Sequence, residues 1–118
     1  MIKSELENRL VNFSVSIIGM TKGLKEEFES QHLSKQIIRS GTATALLYGE
    51  AQGAISRKDF IHKISLVLRE LKETEMNLRI IEDSKLLQNQ LLMNEIKDEN
   101  QQLIKIFMKT MQTAKQRE

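Results

Sequence analysis

Apolar side chains recur through this chain in alternating steps of three and four residues, and no proline interrupts them anywhere in its 118 residues. That spacing places side chains on one face of an α-helix, which turns once every 3.6 residues. The first series is Leu6, Leu10, Phe13, Ile17, Met20 and Leu24. The second is Leu33, Ile37, Ser40, Thr44, Leu47 and Ala51, with an unusually small middle from Ser40 to Ala45 that suits close approach of a neighbouring helix. The third runs Phe60, Ile64, Val67, Leu71, Leu78 and Ile81, and the fourth Leu92, Ile96, Leu103, Ile106 or Phe107, and Met111.

Punctuation between the series predicts four helices, at about 4–26, 31–52, 57–83 and 90–114. Ser4 with Glu7 is a candidate capping box, Ser30 a candidate cap, and Ser56 with Asp59 the clearest start, since a serine oxygen can accept from the amide three residues on. Gly23, the acidic cluster at Glu26, Glu27 and Glu29, Gly53, and the stretch from Asp83 to Asn89 mark the breaks. The tail from Lys115 to Glu118 is expected to fray. Four rods of similar length with short links predict an all-α, antiparallel up-down-up-down four-helix bundle with coiled-coil-like packing, spanning the chain as one domain. The turn signals argue against one long coiled coil.

Several functions are disfavoured by the residues themselves. Cysteine is absent, so there is neither a disulfide nor a thiolate site. No run approaches the ~18 apolar residues of a membrane span, and the first 25 residues carry scattered charge rather than a signal sequence, so a cytoplasmic location is expected. Phosphate-binding glycine loops, the zinc-protease His-Glu-x-x-His pattern and nucleophile elbows are all missing. Glu29 with His32 and Asp59 with His62 have the spacing of a bundle metal pair. However, His32 opens the second helix and His62 the third, which puts them roughly 25 Å or more apart. No metal, no cofactor and no catalysis are expected.

What remains is binding. Ile18, Leu46, Ile61, Leu66, Met76, Ile80, Leu91, Ile104 and Met108 fall off the main stripes, and a second apolar edge on several helices predicts self-association. Residues 30–72 hold seven lysines and arginines against three acids. Lys58, His62, Arg69 and Lys72 share one side of the third helix. Lys35, Arg39, Lys58, Arg69 and Lys72 are therefore the candidates for contacts to nucleic-acid phosphates, alongside the blander reading of solvated ion pairs. Glu75 steps into an apolar sector, where Arg79 is its expected partner. Arg39 is expected beside Glu50.

The segments Leu33 to Thr42, Gly49-Glu50-Ala51 and Ser56 to Ser65, continued by Leu68 to Glu75 and by Leu103 to Ile106 through Thr113 to Lys115, resemble the four-helix-bundle family named for 23S rRNA intervening sequences. The resemblance covers about residues 11 to 115. It implies an antiparallel bundle assembled as a five-fold barrel, so a homopentamer. Through the related accessory variability determinant of diversity-generating retroelements, it also implies RNA, DNA or a reverse transcriptase as partners. The chain departs from the family at Leu47, where asparagine is common, at Met76 and Asn77, where aromatics are common, and in its net charge of only +2. A protein-binding adaptor without nucleic acid is the other reading, its apolar edge receiving a partner helix.

Overall fold

The computed structural model describes residues 1–117, and it contains four α-helices: α1 (Lys3–Lys22), α2 (Phe28–Gln52), α3 (Arg57–Asp83) and α4 (Gln90–Gln116). Each helix packs against its two neighbours, and α1 meets α4 to close the ring. Short links therefore send the chain up and down a bundle of 48 × 22 × 21 Å. The expected architecture is the observed one.

The four apolar series form a single core. Leu10, Ile17, Met20, Ile37, Ile64, Leu71, Leu78, Ile81, Met93, Leu103 and Phe107 are fully buried. Tyr48 of α2 meets Phe107 of α4 edge to face, with ring centres 5.5 Å apart, the arrangement that the ring quadrupoles favour. Where α2 is small it touches both neighbours. A methyl group on Gly41 would sit 3.1 Å from Ile17 Cγ1 of α1, and the Ser40 hydroxyl lies 2.8 Å from that of Thr74 on α3. The α1–α4 seam is held by a bidentate ion pair, Arg9 Nε and Nη2 each 2.8 Å from a Glu99 oxygen.

Helix ends follow the sequence in part. Ser56 caps α3 by accepting from the Asp59 amide at 3.0 Å, and Asn89 caps α4 by accepting from Leu92. The other two starts differ from expectation. Ser4 lies inside α1, whose N-cap is Ile2, and Ser30 lies inside α2, whose N-cap is Glu27; neither cap makes a side-chain bond. Ser30 turns inward and is buried because α2 begins three residues earlier than its spacing suggested. Helix α1 stops at Lys22 rather than near residue 26, with Gly23 returning its amide to Met20 and Thr21. Helix α4 continues to Gln116, through part of the tail expected to fray; Glu118 lies outside the described residues.

The two links at one end brace each other. Lys25 donates its amide to the Leu86 carbonyl at 2.9 Å, and Leu24 bridges to Leu87. Leu24, Leu86 and Leu87 are all buried, which plugs that end of the core. The chain reaches this position by a left-handed residue at Lys85 (φ 57°), after which the Leu86 amide reaches back to Ile81.

Candidate nucleic-acid interface

Helix α3 sets the geometry of the basic residues. Its apolar stripe and its cap at Ser56 fix which side faces the core, and stepping by four, three, four and three from Lys58 reaches His62, Ser65, Arg69 and Lys72. All five are exposed. Lys58 and Lys72 enter no ion pair among the described residues, while Arg69 Nη2 stands 3.7 Å from Glu70 Oε2, a distance of weak attraction. The strip from Lys58 to Lys72 is about 21 Å long, from the 1.5 Å rise per residue. Lys35 is also exposed, on α2, but lies apart from this strip because α2 runs antiparallel to α3.

Arg39 has a different setting. It does not meet Glu50; it bridges to α3, with Nη1 3.3 Å from Glu70 Oε1 and Nη2 bonded to Glu73. Glu70 is only 5% exposed, so Arg39 offsets the cost of burying that carboxylate. Glu50 is taken instead by Lys63 Nζ at 2.8 Å, a hydrogen bond that raises the lysine pKa. Two of the local positive charges are thus neutralised within the fold. Glu75 likewise bonds Gln101 of α4 rather than Arg79, which is exposed. In each case the partner lies on the neighbouring helix, which spacing along one helix cannot disclose.

A groove of about 470 Å³ runs beside the strip, between α3 and α4. Leu68, Met108 and Met111 form its apolar walls, and Arg69 and Lys72 stand on its rim. Met108 had been legible as an off-stripe residue, but the groove itself was not. Among the off-stripe residues Ile104 is buried, at 7% exposure, and Ile61 and Leu66 are partly buried.

On the opposite side of the ring, α1 carries Val11, Val15 and Ile18 on one outward face, all exposed. Outward residues elsewhere include Leu46 of α2 and, past the basic strip on α3, Met76 and Ile80. Gly19 and Gly49 also face outward within their helices, and a methyl group on either would meet nothing within 4 Å. Among the described residues no group of three or more His, Cys, Asp or Glu is placed to hold a metal ion. Nor is any described helix long and apolar enough to cross a membrane.

The model of the 23S rRNA-intervening sequence protein family matches residues 3–109. The chain belongs to that family. A solved structure from Bacteroides thetaiotaomicron, described as a protein with unknown function from the S23 ribosomal protein family, is similar throughout the bundle. It shares 30% sequence identity at a TM-score of 0.81, over 89% of this chain and 96% of its own. No curated protein shows significant similarity to the chain. Family membership accounts for the four helices and their order, and it defines no activity.

Proposed function

We propose that this family member is a non-enzymatic scaffold that assembles with copies of itself, as a pentamer, and presents its basic strip to nucleic-acid phosphates or to a nucleic-acid enzyme. The observation that carries assembly is the outward apolar stripe of Val11, Val15 and Ile18 on α1, facing away from the outward methionine and isoleucine of α3. A closed ring of identical subunits needs two different surfaces that meet head to tail. Opposite helices of the bundle supply such a pair. Val15, at 62% exposure, lies mid-helix, where an apolar side chain in water gains most from being covered.

Lys58, Arg69 and Lys72, with Lys35 set apart on α2, would contact phosphates and carry no base specificity, since no aromatic platform accompanies them. Arg39 serves the fold and leaves this set. Ring assembly would repeat the strip around the barrel, so that modest charge per chain becomes a continuous field. The protein would sit with its partners in the cytoplasm.

Binding of mixed-sequence RNA across a salt series tests the nucleic-acid half. The expected result is an affinity that falls steeply with salt and whose slope decreases by about two in the R69Q/K72Q variant. A flat salt dependence, or no binding at low salt, removes it. Light scattering of Val15→Glu tests the assembly half: the variant should be monomeric at concentrations where the natural chain is not.

The groove between α3 and α4 favours a second reading, a protein-binding adaptor. Methionine walls adapt to varied partners, and an arginine and a lysine on the rim suit an acidic amphipathic helix. A single protein partner that survives nuclease treatment would favour this reading.

A further inference from the structure

At the end of the bundle where α1 and α3 begin and α2 and α4 finish, the structure forms a cup of about 760 Å³. Its floor is apolar: Leu6, Ala51, Phe60 and Ile106 line it, and Phe60 and Ile106 are partly buried side chains continuous with the core. Its rim is cationic, carrying Lys3, Arg57, Lys109 and Arg117. Among the described lining residues none is acidic. Lys3, Arg57 and Lys109 enter no ion pair among the described residues, where the bridges of this chain are made by Arg9, Arg39, Lys63, Arg69 and Lys97.

Two of these cations stand where helix electrostatics disfavours them. Lys3 opens α1 and Arg57 opens α3, and a helix N-terminus already carries partial positive charge. The first-turn acids that would offset this, Glu5 and Asp59, are not among the lining residues. The cup therefore concentrates positive potential over an apolar floor. Its volume lies in the range of small-molecule sites.

From this we infer that the cup binds a small amphipathic anion, with a phosphate or carboxylate head on the rim cations and an apolar body on the floor. Arg57 supplies a planar fork suited to two oxygens of such a head. Lys109 and Lys3 add point charges from the facing helices. Phe60 and Ile106 receive the body, and the Thr113 hydroxyl of α4 lines the same cup and can donate to the head, whereas the Thr110 hydroxyl beside it donates to the Ile106 carbonyl. This site is independent of the basic strip on the outer face of α3 and of assembly through α1.

The test uses the full chain and the fluorescent anion anilinonaphthalene sulfonate, displaced by decyl phosphate, decanoate, inorganic phosphate, decanol or adenosine monophosphate. Displacement by decyl phosphate or decanoate at micromolar concentration is expected, and whichever is tighter identifies the head. Inorganic phosphate and decanol alone should be weaker by about tenfold or more, because each offers half of the complementarity. The R57E/K109E variant, with helicity checked by circular dichroism, should lose that displacement by about tenfold or more, and Lys25→Glu at the far end should not. Ala54→Trp, which fills the cup from its lining while leaving the cations, should also abolish it. Amide shifts at Phe60 and Thr113 on adding decyl phosphate place the ligand.

Equal displacement by decanol, equal displacement by adenosine monophosphate, or unchanged binding in R57E/K109E overturns the inference. So does a cup that is closed to all probes in the assembled protein and protected there, which would mean that a second copy covers it.

Discussion

Replacing Gly19 and Gly49 together by alanine should raise the stability of the isolated chain. Both glycines lie one turn before the end of a helix, α1 and α2 respectively, and face outward. A methyl group at either site meets no atom within 4 Å, so the substitution adds no clash. It removes backbone freedom from the unfolded chain, worth about 0.5–1 kcal/mol per site. The glycines lie at opposite ends of the antiparallel α1–α2 pair, so the gains should add to about 1–2 kcal/mol. At about 2.1 cal/mol/K per residue, unfolding 118 residues gains about 0.25 kcal/mol/K, and the expected rise in Tm is about 4–8 °C. The assay is thermal unfolding followed by helical circular dichroism at low micromolar concentration. If the α1 face is covered as proposed, the gain at Gly19, one turn on from Val15, should shrink in assembled protein, while that at Gly49 on α2 should persist. A Tm that is unchanged or lowered at low concentration would refute the reasoning, since something within the chain would then require glycine there.

The buried hydroxyl pair between α2 and α3 should behave as a coupled unit. Thr74 donates to the Glu70 carbonyl, so Ser40 is the donor between the two hydroxyls; Ser40→Ala and Thr74→Val should each cost about 1 kcal/mol in urea unfolding, and the double variant about 0.5–1 kcal/mol less than their sum. Simple additivity would contradict this. Ser56→Ala should cost about 1 kcal/mol by removing the cap of α3, whereas Ser30→Ala, at a buried hydroxyl with no hydrogen-bond partner among the described residues, should be neutral or stabilising. Glu82 is held below the usual carboxylate range by its hydrogen bond from Lys97, then by that from Gln90. A depressed folded pKa stabilises above the unfolded value and is lost as pH falls through the folded one, so the stability difference between the natural chain and Lys97→Met should vanish in acid; a difference that persists there would mean that Lys97 acts through packing.

How far the fold is legible in the sequence follows from where each signal resides. Periodicity and the Ser56–Asp59 pair lie within single helices, and they gave the four helices and the start of α3. The small run from Ser40 to Ala45 announced a close helix contact, and the structure supplies one on each side, at Ile17 and at Thr74. Partners between helices were not legible: Arg39 with Glu70, Lys63 with Glu50, and Glu75 with Gln101 join positions 13 to 31 residues apart. Local spacing favours Glu75 with Arg79 because it sees one helix at a time. The end plug was hidden for another reason. Lys85 adopts a left-handed conformation usually signalled by glycine, so Leu86 and Leu87 read as part of a connection and not as core. Of the candidate site, the α3 strip was visible as spacing, whereas the α3–α4 groove and the cup require residues from several helices at once.

The copy number in solution tests the central claim most directly, that the outward apolar faces of α1 and α3 are covered by sister subunits. Native mass spectrometry of the natural chain should give one dominant species of five 13.7 kDa chains, which Val15→Glu converts to single chains. A single-chain species at every concentration up to the millimolar range would contradict the account.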